Sequence, residues 1–244
     1  MQERLKGIHS FGLAPGRRLS NRYVVGDLLG RGWEGEVYHV TEIATGIERA
    51  AKLFFPERNL HNRAVRFYAR KLHKLRDCPL LIPYHTQDAF QFRGCRVTFL
   101  VSEYVHGRLL PDFLARQKGR RLDPFEALHL LYPLVHGLEY IHAAGEYHGD
   151  LHSENIMLRR EGLGFHVKLL DFYHWGKMTA EHVQDDLRSA IRIFYDAIGG
   201  PKRYAGQPQW VKDVCCGLKH SLIRKKFRTA RHLRSFLEHL DRDP

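Results

Sequence analysis

The sequence predicts an α+β protein with its strands gathered first and its long helices after. Three observations carry this. Tyr23–Leu29, Val37–Thr41, Arg49–Phe55, Leu80–Gln91 and Arg96–Ser102 all read as strands and all lie in the first hundred or so residues. Beyond them, Phe125, Leu128, Leu131, Leu134, Val135, Leu138 and Ile141 form a long apolar stripe at helical spacing, started by Asp123-Pro124 as N-cap and first turn. Trp210–Leu222 and Thr229–Leu240 read as the closing helices.

Composition bounds the rest. A chain of 244 residues can build one large domain or two small lobes with real cores. Its 43% hydrophobic and 27% charged residues are those of a soluble globular protein, and no run of eighteen apolar residues predicts a membrane span. Met1–Ser20 has no apolar core segment, so it is not read as a secretory signal. The four cysteines, Cys78, Cys95, Cys215 and Cys216, have no framework or metal spacing and read as reduced thiols in a cytoplasmic protein. The net charge of +12 fits solubility plus a weak attraction to anything anionic and does not exclude nucleic acid.

The chemistry concentrates in His148-Gly149-Asp150-Leu151-His152-Ser153-Glu154-Asn155. A strand pair follows, Ile156–Arg159 and Phe165–Leu170, ending in Leu170-Asp171-Phe172. A hairpin can bring Asn155 and Asp171 to one point, where their oxygens suit a hard cation such as Mg²⁺. Asp150 is then free to receive a hydroxyl proton, as phosphoryl transfer from ATP requires. His148 and His152 stand at a spacing that would suit zinc on a helix, but here they flank an Asp in a loop.

Earlier in the chain, Gly30-Arg31-Gly32-Trp33-Glu34-Gly35-Glu36-Val37 lies between two strands, unlike a dinucleotide fingerprint, which opens a helix. Its glycines let main-chain N–H groups approach phosphates. The third strand carries Ala50-Ala51-Lys52. Arg58–Arg76 reads as a helix with Leu60, Ala64, Phe67, Tyr68, Leu72 and Leu75 on its apolar side. It holds seven Lys/Arg and no acid, which makes it a candidate surface for an anionic partner.

Together the octet with Asp171-Phe172, the glycine loop, the Ala-x-Lys strand and Ser102-Glu103-Tyr104-Val105-His106-Gly107 resemble the protein-kinase superfamily, in the same order along nearly the whole chain. The resemblance implies a two-lobed fold, a small antiparallel sheet with one helix followed by a helical lobe, with the active site between them. Residues 1–20 would be a flexible arm, 21–101 the first lobe, 102–107 the hinge, and 108–244 the second lobe with a truncated activation segment. It implies ATP and Mg²⁺ as cofactors. Gly30, Gly32, Gly35 and Lys52 would hold the phosphates. Leu29, Val37, Ala50, Met157 and Leu170 would wall the adenine, with the main chain of Glu103 and Val105 bonding its edge and Ser102 as gatekeeper. Asn155 and Asp171 would hold the metal, Asp150 would take the acceptor's proton, and Asp186 would bond the catalytic-loop backbone.

The departures are specific. The family's helix glutamate, partner of the lysine, falls near Tyr68 or Ala69, where there is no acid. Gly149 replaces the arginine that receives an activation-loop phosphate, and Tyr173 replaces the glycine after Phe172. Fourteen residues separate Asp171 from Asp186, without Ala-Pro-Glu. The resemblance implies transfer of the γ-phosphate to a hydroxyl, first of Ser/Thr on a protein. His-Gly-Asp also resembles small-molecule kinases of the aminoglycoside, choline or sugar type. A nucleotide-binding pseudokinase is the third reading, resting on the missing helix glutamate.

Overall fold

The computed structural model describes residues 7–172 and 176–240. The chain forms two compact units, one of residues up to 76 together with 82–105, the other of 77–81 together with 106 onward. The sequence reading had assigned residues 77–81 to the first lobe.

The first unit is built on six strands: β1 (Arg18–Leu19), β2 (Tyr23–Arg31), β3 (Gly35–Glu42), β4 (Glu48–Phe54), β5 (Tyr84–Phe92) and β6 (Cys95–Glu103). They form one antiparallel sheet in the order β1-β2-β3-β4-β6-β5. Residues opposite one another across an antiparallel ladder share a face. The register therefore puts Glu36, Leu53 and Phe99, and Tyr38, Ala51 and Val101, on one face. Val37, Lys52 and Leu100, and His39, Ala50 and Ser102, lie on the other.

The first of these faces is the apolar core, and residues 8–19 cover it. Ile8, Phe11, Leu13 and Leu19 are buried in one cluster with Tyr38, Leu53, Phe55, Phe90, Phe92 and Phe99. Phe11 lies 5.3 Å from the Phe55 ring and 5.3 Å from the Phe92 ring. The buried Glu36 carboxylate pins this strap, accepting from Ser10 Oγ at 2.8 Å and from Phe11 N at 3.1 Å. Tyr38 donates to the same carboxylate at 2.5 Å and accepts from Leu13 N at 3.2 Å. Burial and that carboxylate push the Tyr38 phenol up to about 12, so it remains a donor. The expected flexible arm is thus corrected over its described part: 7–20 is docked. Its apolar residues follow the sheet surface at irregular intervals, so no helical or strand period announced them.

Helix α1 (Arg63–Lys74) packs on β5 and β6, with Ala64, Val65 and Tyr68 buried. The expected start at Arg58 is corrected. Residues 56–62 form two short 3₁₀ turns, with His61 and Asn62 at positive φ, and Leu60 is exposed.

The second unit contains β7 (Arg108–Leu109), α2 (Leu110–Ala115), α3 (Pro124–Ala143), β8 (Ile156–Glu161), β9 (Gly164–Leu169), α4 (Ala180–Ala197), α5 (Pro201–Tyr204), α6 (Gln209–Cys215), α7 (His220–Lys226) and α8 (Ala230–Glu238). Its core is α3 packed on α4, α8 and the β8–β9 hairpin. The Asp123 side chain caps α3, accepting from Phe125 N at 2.9 Å. The buried face runs through Ala127, Leu130, Leu131, Leu134, Val135, Leu138 and Ile141, and Phe125 is exposed outside it. Residues 77–81 join this unit for a definite reason. Gly137 of α3 has no Cβ, and one built there would meet Leu80 Cδ2 at 2.3 Å. Leu169 N donates to Leu80 O at 2.8 Å, and the Lys168 ammonium donates to the carbonyls of Pro79 at 2.8 Å and Leu81 at 2.9 Å.

The expected helix Trp210–Leu222 is broken. Cys216, Gly217 and Leu218 all adopt positive φ between α6 and α7. All four cysteines are free. Among the described residues, no helix is long and apolar enough to cross a membrane.

Candidate active site

Helix α3 delivers the chain into the polar loop, and a buried carboxylate holds that loop in shape. Asp186, on the inner face of α4, accepts from His148 N through Oδ2 and from Gly149 N through Oδ1, each at 2.8 Å. His142 Nε2 lies 3.0 Å from Oδ2. Burial raises the cost of this charge, but the bonds from His142, Gly149 and His148 outweigh it and hold the carboxyl below the usual range. Gly149 sits at φ 79°, a conformation in which glycine carries no Cβ penalty.

The loop then closes on itself. Asn155 donates from Nδ2 to the Asp150 carbonyl at 2.9 Å, and its own carbonyl accepts from Leu170 N at 2.8 Å. The β8–β9 register pairs Ile156 with Leu169, so Asn155 and Leu170-Asp171 lie at the same end of the hairpin. The buried His148 ring bonds the Leu170 carbonyl at 3.2 Å and meets the Phe172 ring edge-on at 5.5 Å. His152 Nε2 lies 2.9 Å from Asn155 Nδ2 and 3.6 Å from Asp150 Oδ2. Both histidines are thus engaged within the loop rather than directed at a shared metal. The Asp150 side chain stands exposed above this frame.

Asp150, Asn155 and Asp171 are therefore brought together within the second unit, with Met157 on β8. Asp171 is exposed and adopts φ 47°. The donor set fits a hard cation. With Nδ2 committed to Asp150, the Asn155 amide oxygen is the atom left to act as ligand beside the Asp171 carboxylate. Tyr173 lies outside the described residues.

The other expected site residues belong to the first unit. Gly30 lies near the end of β2, Gly32 in the turn and Gly35 at the start of β3, and Gly32 N donates to Gly35 O at 2.9 Å. Gly35 is required for packing: a Cβ there would lie 1.9 Å from the Leu53 carbonyl oxygen. Val37, Ala50 and Lys52 share one sheet face by register, with Leu100 and Ser102. Glu103 N donates to Pro83 O at 3.1 Å, so a bond from Glu103 to a base would use its carbonyl. Val105 is buried at the end of this unit.

Sequence reasoning missed the surroundings of Lys52. Its ammonium lies 3.1 Å from Glu34 Oε2 and 3.3 Å from the Tyr68 hydroxyl, and Tyr68 donates to the same Glu34 oxygen at 2.7 Å. Two signals were available: an acid just before the third glycine of the loop, and a hydroxyl at the helix position where an acid was sought.

A protein kinase domain model matches residues 23–195. A probable serine/threonine-protein kinase of Streptomyces coelicolor is 33% identical over 159 residues, covering 64% of this chain and 23% of that protein. Another from Corynebacterium efficiens is 31% identical over 199 residues, covering 78% and 28%. Among solved structures, the Mycobacterium tuberculosis PknI kinase domain, crystallised as a double mutant, superposes with a TM-score of 0.65 at 20% identity. That match covers 93% of this chain and 98% of that one. The fold is the protein kinase fold, a sheet-based lobe and a helical lobe. The chain belongs to the protein kinase domain family, and that membership implies use of ATP. It spans about a quarter of the length of the two bacterial relatives, 23% and 28%.

Proposed function

We propose that this domain transfers the γ-phosphate of ATP to a serine or threonine hydroxyl of a protein. The observation that carries the reading is the loop from His148 to Asn155. It presents the exposed Asp150 carboxylate on a main chain fixed on both sides, by Asp186 at His148-Gly149 and by Asn155 at the Asp150 carbonyl. An exposed carboxylate on a rigid support is what a general base needs to meet an incoming hydroxyl.

In this reading Asp150 orients the acceptor hydroxyl and takes its proton. Lys52 and the main-chain amides of the glycine loop position the phosphates. The adenine is assigned to Val37, Ala50, Glu103 and Val105 in the first unit, with Met157 as the second unit's candidate. Asn155 and Asp171 would hold Mg²⁺, which supplies neutralisation of phosphate charge when bound. Phosphoryl transfer has a loose transition state, so positioning and charge complementarity supply most of the acceleration.

The protein acceptor is favoured over a small molecule by the relatives, both described as serine/threonine-protein kinases. The exposed basic residues of α1, Arg63, Arg66, Arg70 and Lys74, are proposed as a surface for an anionic partner. The test supplies γ-labelled ATP with two acceptor sets, proteins of a bacterial lysate and a panel of hydroxylated metabolites and aminoglycosides. Label on protein serine or threonine supports the reading. Label confined to the small molecules overturns the acceptor class.

A further inference from the structure

We propose that Glu34 of the glycine loop, seconded by Tyr68 of α1, is the positioning carboxylate for Lys52, in place of the acid that α1 lacks. The proposal rests on the reading of Lys52 as the phosphate-holding lysine.

The geometry is a closed triangle inside the first unit. Lys52 Nζ reaches Glu34 Oε2 at 3.1 Å and the Tyr68 hydroxyl at 3.3 Å, and Tyr68 donates to the same Oε2 at 2.7 Å. An ammonium has three N–H donors, and these two bonds fix its direction. Its nitrogen also lies 4.5 Å from the Tyr68 ring centroid, a favourable cation–π distance. The tyrosine stands where a helix acid was sought, and it shares the oxygen that holds the lysine. The helix thus reaches the lysine through a neutral hydroxyl, and the charge comes from the loop.

Glu34 is set in the fold rather than hung from a free loop tip. Its side chain is buried. Its main-chain carbonyl accepts from Phe55 N at 2.8 Å, just beyond the end of β4. The next residue, Gly35, packs so closely on Leu53 that no Cβ fits. The preceding residue, Trp33, is exposed but carries the Arg58 guanidinium on its ring, 3.9 Å from the centroid. A carboxylate anchored on both sides is suited to fix a cation. It is poorly suited to act as a swinging plug that yields to each incoming nucleotide. A consequence follows for the loop: phosphates gripped by Lys52 would also be tied, through Glu34, to the position of the loop itself.

The test is the ratio of the dissociation constants for adenosine and for Mg·ATP, measured by titration calorimetry on the full chain. The ratio isolates the phosphate contribution and requires no turnover. Lys52→Met should collapse it. Glu34→Gln, which keeps the shape but loses the charge, should lower it roughly 10-fold, the scale of one charge-assisted bond. Tyr68→Phe should lower it by less. Adenosine affinity should stay unchanged in all three. Glu34→Asp keeps the charge and should recover part of the ratio, which an effect of folding alone would not produce. A ratio that is unchanged in Glu34→Gln while Lys52→Met collapses it overturns the proposal and leaves the role of Lys52 intact. A raised ratio also overturns it, since Glu34 would then be competing with the phosphates. A ratio insensitive to Lys52→Met overturns both the proposal and the reading of Lys52.

Discussion

Asp186 is one carboxylate carrying the geometry of a whole loop. Its folded-state pKa lies below its unfolded value, so its contribution is present above the ordinary carboxylate range and is lost as the pH falls through the folded value. Asp186→Asn should cost on the order of 2–3 kcal/mol at neutral pH, the worth of hydrogen bonds to a buried charge. The difference between wild type and variant should shrink below about pH 4, the unperturbed range for aspartate. Urea unfolding across pH 3–7 checks both the size and the sign. Spacing alone puts Asp150, Asn155 and Asp171 on one loop and one hairpin end, whereas Asp186, on α4, was reached only through the family resemblance. The Glu34–Lys52–Tyr68 triangle was not legible. It depends on which way a side chain enters from a turn, and spacing does not encode that when the partners sit on three separate elements. Glu36 escaped for the same reason: it reads as one more loop acid, yet it is buried and holds the strap.

At the scale of elements, α4 opens with a reciprocal cap. Thr179 Oγ1 accepts from His182 N at 3.3 Å, and His182 Nδ1 accepts from Thr179 N at 3.2 Å. Thr179 and Tyr173 are the only hydroxyl residues between Asp171 and Asp186. Because the threonine is engaged as a cap and Gly149 offers no guanidinium to a phosphate, activity should not depend on phosphorylation of this segment. Phosphatase-treated protein should transfer at the untreated rate, and Thr179→Ala should lower stability by about 1 kcal/mol, the usual worth of an N-cap. A large loss of rate after phosphatase, restored by preincubation with ATP, would contradict this. The expected start of α1 is too early because Leu60 continues the helical spacing of Ala64 and Phe67, whereas the chain before Arg63 passes through two left-handed residues, His61 and Asn62. The docking of 77–81 was invisible because its determinant is an absence, the missing Cβ of Gly137. Gly137→Ala should therefore cost about 1–3 kcal/mol through overpacking against Leu80, readable as a fall in Tm.

For the whole molecule, the α+β class and the order of strands before helices were legible because hydrophobic period switches from strand-like to helical along the chain. The division at residues 77–81 was not, since the chain leaves one unit and returns to it within a few residues. The strap at 8–19 also belongs to this scale, since it closes the core of the first unit. Phe11→Ala should destabilise by about 3–5 kcal/mol, the range for a buried phenylalanine, whereas a mobile arm would lose almost nothing. The central proposal is phosphoryl transfer through Asp150. The most direct measurement is the rate of γ-phosphate transfer from Mg·ATP to protein by wild type and by Asp150→Asn, which preserves shape and removes the base. Wild type should transfer, and the variant should be slower by about 10²–10⁴-fold, the usual contribution of a positioned base, with ATP affinity little changed. Equal rates in the two proteins, or no transfer by wild type to any protein acceptor, would contradict the account.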